Sequence, residues 1–274
     1  MTQPKVLTLS LLTTLAAFGC SATTDGSGET DAVDDAESSA EIRGGGDTGA
    51  PSWMVSVQWR SAFGGQWGHL CGGALYRANY VVTAAHCIEA YITDPAREIR
   101  VCVGATNLSD CNTGNTSGII HSRTHSNRSP SVSKQWDVGV IKLRRSFSNG
   151  LAALASSSDD PPAGANALAL GWGKLSNGTF PNTLQGLTYP AVSNSECQAS
   201  WGGQSTIFST QLCADANSGR GTCNGDSGGP LVYNGKIVGL TSYGGSQNGT
   251  CVGAADDVYT RVSSVRSWIT SQNF

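Results

Sequence analysis

The sequence predicts an all-β protein closed by a short C-terminal helix. Three observations carry this expectation. Short apolar runs recur from residue 42 onward, separated by clusters of Gly, Asn, Ser and Pro, the pattern of many short strands joined by turns. Charged residues are only 14% of the 274, and glycines number 35, which suits a loop-rich extracellular protein better than a helical cytosolic one. Near the C-terminus, Val265, Trp268 and Ile269 fall at helical spacing, so residues 263–269 read as a helix.

The expected strands are 54–59, 73–76, 80–83, 99–103, 138–143, 167–170, 231–233, 236–242 and 258–262. Taken by themselves they allow a β-barrel or a sandwich. The chain is long enough for one large all-β domain or two smaller ones. Asp159-Asp160-Pro161-Pro162 lies midway and marks a candidate linker between two halves. No internal repeat is evident.

The N-terminal part differs from the rest. Lys5 precedes an apolar stretch at 6–18 that ends at Cys20, which reads as a signal peptide over 1–20. Ala17-Phe18-Gly19-Cys20 resembles a bacterial lipobox despite the atypical Phe18, and lipidation of Cys20 is favoured over ordinary cleavage nearby. Residues 21–41 carry Asp25, Glu29, Asp31, Asp34, Asp35, Glu37 and Glu41 and no base. That stretch cannot bury enough apolar surface to offset chain entropy, so it is expected to be a disordered tether or propeptide. No later apolar run approaches membrane-spanning length. Membrane attachment is therefore expected only through a lipid on Cys20.

Residues 42–274 carry 16 Lys/Arg against 13 Asp/Glu, too small a surplus to argue for nucleic-acid binding. Eight of the nine cysteines lie after residue 70 and can pair completely, which indicates an oxidising compartment, secreted or extracytoplasmic.

Three strings carry candidate chemistry. Gly225-Asp226-Ser227-Gly228-Gly229-Pro230 would expose the Ser227 hydroxyl on a tight turn, with flanking glycines that let a substrate carbonyl approach the backbone. The N–H groups of Gly225 and Ser227 would face a developing oxyanion. Thr83-Ala84-Ala85-His86-Cys87 puts His86 just after an apolar strand. Trp136-Asp137-Val138-Gly139-Val140-Ile141 puts an acid at the head of another. Each string also has a bland reading: a Gly-rich turn, a buried structural imidazole, a strand-edge Asp.

Together they resemble the chymotrypsin/trypsin family of serine proteases, which carries His, Asp and Ser in this chain order. The resemblance runs from about Ile42 to the C-terminus. It includes Cys71-Gly72-Gly73, Gly171-Trp172-Gly173, Ser242-Tyr243-Gly244 and Val258-Tyr259-Thr260-Arg261-Val262. It implies two six-stranded antiparallel β-barrels with a short C-terminal helix. The implied activity is that of a serine endopeptidase with His86, Asp137 and Ser227 as the triad, needing no cofactor or metal. A catalytically dead relative used as a binding module would usually have lost one of the three. Protein or peptide substrates are expected, with inhibitory proteins as a further class of partner and a monomeric state. The N-terminal features point to a bacterial secreted or lipoprotein-type member. His69, His121 and His125 read as ordinary residues.

The same resemblance implies three disulfides, Cys71–Cys87, Cys197–Cys213 and Cys223–Cys251. Cys102 and Cys111 match no family bridge but would close a small loop in an oxidising context, in preference to binding zinc. Ile42-Arg43-Gly44-Gly45 resembles the family's Ile-Val-Gly-Gly start, with Arg43 a departure. Cleavage before Ile42 would free an ammonium to pair with Asp226; cleavage after Arg43 is the rival. The specificity pocket is expected to involve Gly221 at its base, with Thr222, Ser242, Tyr243, Gly244 and Asp257. An inward Asp257 would favour basic or mixed basic and apolar side chains. If it turned away, the pocket would be mainly apolar.

Overall fold

The computed structural model describes residues 44–129, 131, 134–216, 219–244, 251 and 255–274. The expected signal peptide, Cys20, the acidic stretch 21–41 and Ile42 all lie outside the described residues. Among those described, no helix is long and apolar enough to cross a membrane.

Strands β1 (Gly46–Asp47), β2 (Met54–Ser61), β3 (Gly64–Arg77), β4 (Tyr80–Thr83), β5 (Arg97–Val103), β6 (Thr116–Thr124) and β7 (Gly139–Leu143) come first. Six of them close a barrel in the order β2-β3-β4-β7-β6-β5. Its interior holds Val55, Val57, Leu75, Val81, Val101, Val103, Ile141 and Leu143, all essentially without exposure. The β-branched residues among them pack well on a pleated surface.

The second half supplies β8 (Asn166–Gly171), β9 (Gln185–Val192), β10 (Gln211–Ala214), β11 (Pro230–Tyr233), β12 (Lys236–Tyr243) and β13 (Asp257–Arg261). These run β9-β10-β13-β12-β11-β8, and the β8–β9 pairing closes them into a second barrel. Strand β1 adds to β9 through Gly46 opposite Gly186. The expected fold class, two six-stranded antiparallel barrels, is the one observed. The second interior is less purely aliphatic, since Tyr189 and Tyr259 are fully buried in it.

The midway linker is pinned to the second barrel. Asp160 pairs with Arg261 at 2.8 Å and accepts from the Ser263 hydroxyl at 2.9 Å. Between the barrels lies a separate apolar cluster. It joins Ala74, Tyr80, Val82, Val138 and Val140 of the first half to Ile237, Leu240, Val262, Val265 and Ile269 of the second. The last three lie on helix α3 (Val262–Ser271), so the C-terminal helix is the clamp between the halves. Its bounds exceed the expected 263–269, because Val262 begins the helix instead of ending the strand.

Strands β6, β9 and β10 fall outside the expected set. β6 has only Ile119 and Ile120 at its centre, β9 contains Gly186 and Pro190, and β10 has four residues. Proline argues against a strand on local grounds. Here the ladder to β8 accommodates it, with Pro190 opposite Asn166. Helix α2 (Asn194–Ser200) is started by a capping box in which Ser193 and Glu196 satisfy each other's backbone N–H groups.

Four disulfides brace the loops: Cys71–Cys87, Cys102–Cys111, Cys197–Cys213 and Cys223–Cys251. Such a set fits an oxidising, extracytoplasmic compartment.

Candidate active site

The register of β4 against β7 brings two of the three strings together. Thr83 lies opposite Gly139, so the chain leaving β4 and the chain entering β7 meet at the same end of the barrel. His86 sits on the single helical turn α1 (Ala85–Cys87) that follows β4, and Asp137 lies two residues before β7. His86 Nδ1 is 2.7 Å from Asp137 Oδ2, and the His86 backbone N–H donates to Oδ1 at 2.9 Å. Two contacts therefore fix the ring's direction. Just before Asp137, Trp136 adopts φ 56°, an uncommon conformation for a bulky residue that reverses the backbone.

The second barrel completes the carboxylate's surroundings. The pairing of β12 with β13 slips between Thr241 and Tyr243, leaving Ser242 as the extra residue of a bulge. The bulge turns Ser242 toward Asp137, and its hydroxyl donates to Oδ2 at 2.6 Å. The Thr260 hydroxyl donates to the Asp137 carbonyl at 2.8 Å. Burial alone would raise the Asp137 pKa. The hydrogen bond and charge of His86, the charge of Arg128 and the Ser242 hydroxyl outweigh it and hold the carboxyl below its ordinary value.

Ser227 is half-buried on a turn stitched to both barrels. The Gly72 N–H of β3 donates to the Ser227 carbonyl, and the Gly228 N–H donates to the Thr241 carbonyl of β12, both at 2.8 Å. Gly225 has φ 101°, a conformation open to glycine, which lets the loop double back ahead of the serine. No hydrogen bond joins the Ser227 hydroxyl to the His86 ring among the described residues.

His69, read from the sequence as ordinary, is engaged at both ring nitrogens. Nε2 lies 2.9 Å from the Gly225 carbonyl and Nδ1 lies 2.8 Å from the Ser56 hydroxyl. A carbonyl only accepts, so Nε2 carries the proton and Ser56 donates to Nδ1. Burial lowers the His69 pKa to about 4 against the opposing pull of the Gly225 bond, so the ring is neutral at pH 7. It pins the carbonyl of the loop that leads into Ser227. Only position in the fold distinguishes it from a surface histidine. His121 packs on Phe274, and His125 stacks on Trp136 with centroids 4.7 Å apart.

Asp226 points away from the surface into a cradle. The Gly173 and Cys223 N–H groups each donate to it at 2.8 Å. A side chain at Gly171 or Gly173 would collide with its carboxylate, which is the reason for the Gly-Trp-Gly string. Burial raises its pKa to about 6 in spite of those two bonds. No cation pairs with it among the described residues.

Beside Ser227 lies a cavity of about 230 Å³ lined by Thr222, Ser242, Tyr243, Gly244 and Asp257, with Cys223–Cys251 along one wall. Asp257 is only 2% exposed. Its Oδ2 accepts the Thr222 N–H at 2.6 Å and the Tyr189 hydroxyl at 3.0 Å; Tyr189 also contacts the Tyr259 hydroxyl. Oδ1 is directed at Gly244, where a Cβ would collide with it. Gly244 therefore makes room for the acid as well as leaving the entrance open. Gly221 backs the same carboxylate, a Cβ there being 3.0 Å from Oδ2. Burial drives the Asp257 pKa up to about 7 against the Thr222 and Tyr189 bonds.

A serine-bearing turn, an imidazole–carboxylate pair from the opposite barrel and an adjoining pocket fit the class of double-barrel serine hydrolases. A family model described as Trypsin matches residues 42–269. The chain is 36% identical over 228 residues to "Trypsin alpha" of Drosophila erecta, covering 81% of this chain and 85% of that protein. It is 35% identical over 250 residues to "Chymotrypsin-like elastase family member 1" of Macaca fascicularis, covering 85% of this chain and 90% of the relative. This chain belongs to the trypsin family and is a serine endopeptidase.

Proposed function

We propose that the protein is an exported endopeptidase in which Ser227 attacks the peptide carbonyl, His86 takes its proton and Asp137 orients the imidazole. The observation that carries this reading is the pair of contacts from one Asp137 carboxylate to the His86 ring and backbone, beside Ser227 and an open pocket. With Asp137 accepting at Nδ1, Nε2 is left bare to act as base. Catalytic hydrogen bonds are often long before substrate binds, and the Ser227–His86 contact closes when a substrate fills the pocket. The tetrahedral oxyanion lies against the N–H groups of Gly225 and Ser227. His86 returns the proton to the leaving amine, and water then releases the acyl group.

The relatives include proteins named as trypsins and as an elastase at nearly equal identity, so selectivity is read from the pocket. An acid at its inner wall favours lysine or arginine before the scissile bond. Because that acid's pKa lies near 7, apolar side chains are also accepted, most readily at lower pH. Asp226, which meets no cation among the described residues, supports a zymogen activated by cleavage before Ile42, whose new ammonium enters the cradle. The segment before Ile42 directs export, and Cys20 takes a lipid in a bacterial envelope.

Labelling with a fluorophosphonate tests the nucleophile. The mature protein is expected to label and Ser227→Ala to lose both label and turnover; a fully active Ser227→Ala removes the triad. N-terminal sequencing of the active form is expected to begin at Ile42, and a Gly44 start removes the activation scheme. Mass spectrometry of the N-terminal peptide reports on the lipid at Cys20.

A further inference from the structure

Arg128 plays no part in the reaction as described, yet it is almost enclosed, its side chain 8% exposed. A turn beginning at His125 carries it inward: the Arg128 N–H donates to the His125 carbonyl at 2.9 Å, and the Asn127 N–H to His125 Nδ1 at 3.1 Å. Nη2 then lies 3.6 Å from Asp137 Oδ1, and Nε lies 3.5 Å from Glu89 Oε2. Nη1 donates to the Gln135 carbonyl at 3.4 Å, while Nε is buried without a hydrogen-bond partner. A guanidinium keeps its charge in such a place, and the cost of enclosing it is offset only by carboxylates facing it. Two do so. Glu89 is one-third exposed and therefore well solvated; Asp137 is buried.

We propose that Arg128 is a positioning residue that tunes His86 through Asp137, setting the pH at which the imidazole loses its proton. This rests on the reading of His86, Asp137 and Ser227 as the triad. An isolated carboxylate favours the imidazolium and raises its pKa. A cation shared by the same carboxylate repels the imidazolium and spends part of that field. His86 then becomes free to act as base at a lower pH than it would with Asp137 alone. Glu89 partly neutralises Arg128 and moderates the effect.

The other groups around the pair leave this balance to Arg128. Ser242 on β12 and Thr260 on β13 contribute hydroxyls that stay neutral. The Tyr243 pKa is raised, chiefly by burial, so it is uncharged at pH 7, and Lys134 sits over its ring with Nζ 4.1 Å from the centroid. His125, stacked on Trp136, has a pKa lowered by burial and is neutral as well.

The test is the pH profile of kcat/KM for the activated enzyme and three variants. Arg128→Met is expected to move the acid limb to higher pH by on the order of half a unit, a roughly threefold loss of activity below the limb. Arg128→Lys should stay near the parent profile, and Glu89→Gln should move the limb to lower pH. A merely structural Arg128 would change activity at all pH values without moving the limb. An unmoved limb in both Arg128→Met and Glu89→Gln overturns the proposal, as does a shift of either in the opposite direction. If Arg128→Met does not fold, the solvated Glu89→Gln decides alone. His86→Ala run alongside separates the two readings: its inactivity with an unmoved limb removes only the role of Arg128, whereas retained turnover removes the triad itself.

Discussion

Asp137 and Asp257 are buried to the same extent, each 2% exposed, and each stands at or just before the start of a strand. Their ionisation is nevertheless driven in opposite directions. Asp137 is held below its ordinary pKa, and Asp257 is pushed up to about 7. Desolvation is the largest influence on both. The difference lies in what faces them: Asp137 has a hydrogen bond from His86 and the positive charge of Arg128, whereas Asp257 meets a backbone N–H and a phenol. Asp226, 1% exposed and raised to about 6, resembles Asp257. The Asp137 edge of the first barrel thus carries a compensating cation, Arg128. Among the described residues, no cation pairs with Asp226 or Asp257 at the inner edge of the second barrel.

This contrast can be broken most sharply at Asp137. Asp137→Asn keeps the shape but reverses the hydrogen-bond preference at Nδ1, and kcat is expected to fall by about 10⁴-fold. Steady-state kinetics on a peptide amide checks this, and a loss under tenfold would contradict the assigned role. Asp226→Asn comes next. If the new N-terminus pairs with Asp226 as proposed, removing the anion frees the loop carrying Gly225, and the loss of kcat should approach that of an oxyanion-hole donor, about 10²–10³-fold. Active-site titration separates misformed from slow enzyme.

Smaller effects fall on the pocket. Asp257→Asn should lower the ratio of kcat/KM for arginine over leucine substrates by about tenfold while leaving the leucine value near the parent. An unchanged ratio would mean that Asp257 does not read the substrate. The smallest expected change is the pH dependence of that same ratio in the parent enzyme. Below about 7 the Asp257 carboxyl is protonated; above it the group is an anion. The arginine preference should therefore rise as pH passes through about 7, by a few-fold. Taking a ratio cancels any titration that affects both substrates alike.

Much of this arrangement was legible in the sequence because its causes are local. A serine between glycines, a histidine after an apolar strand and an acid before another each announce themselves within a few residues. The resemblance then joined them into one site. The aliphatic strands of the first barrel are equally plain, since its core residues follow the pleat. Strands β6, β9 and β10 were not legible, because their place is decided by their ladder partners. Neither was His69, whose two hydrogen bonds go to residues 13 and 156 positions away in the chain.

The sequence by itself determined the fold class, the order and identity of the candidate triad, and the oxidising compartment. These follow from side-chain chemistry and short spacing. Tertiary structure decided which oxygen of Asp257 meets the pocket, that Gly171 and Gly173 exist to admit Asp226, and that Arg128 leans on Asp137. Each depends on distances between chain segments far apart in sequence. In a low-dielectric interior such distances, more than residue type, decide which carboxyl is charged.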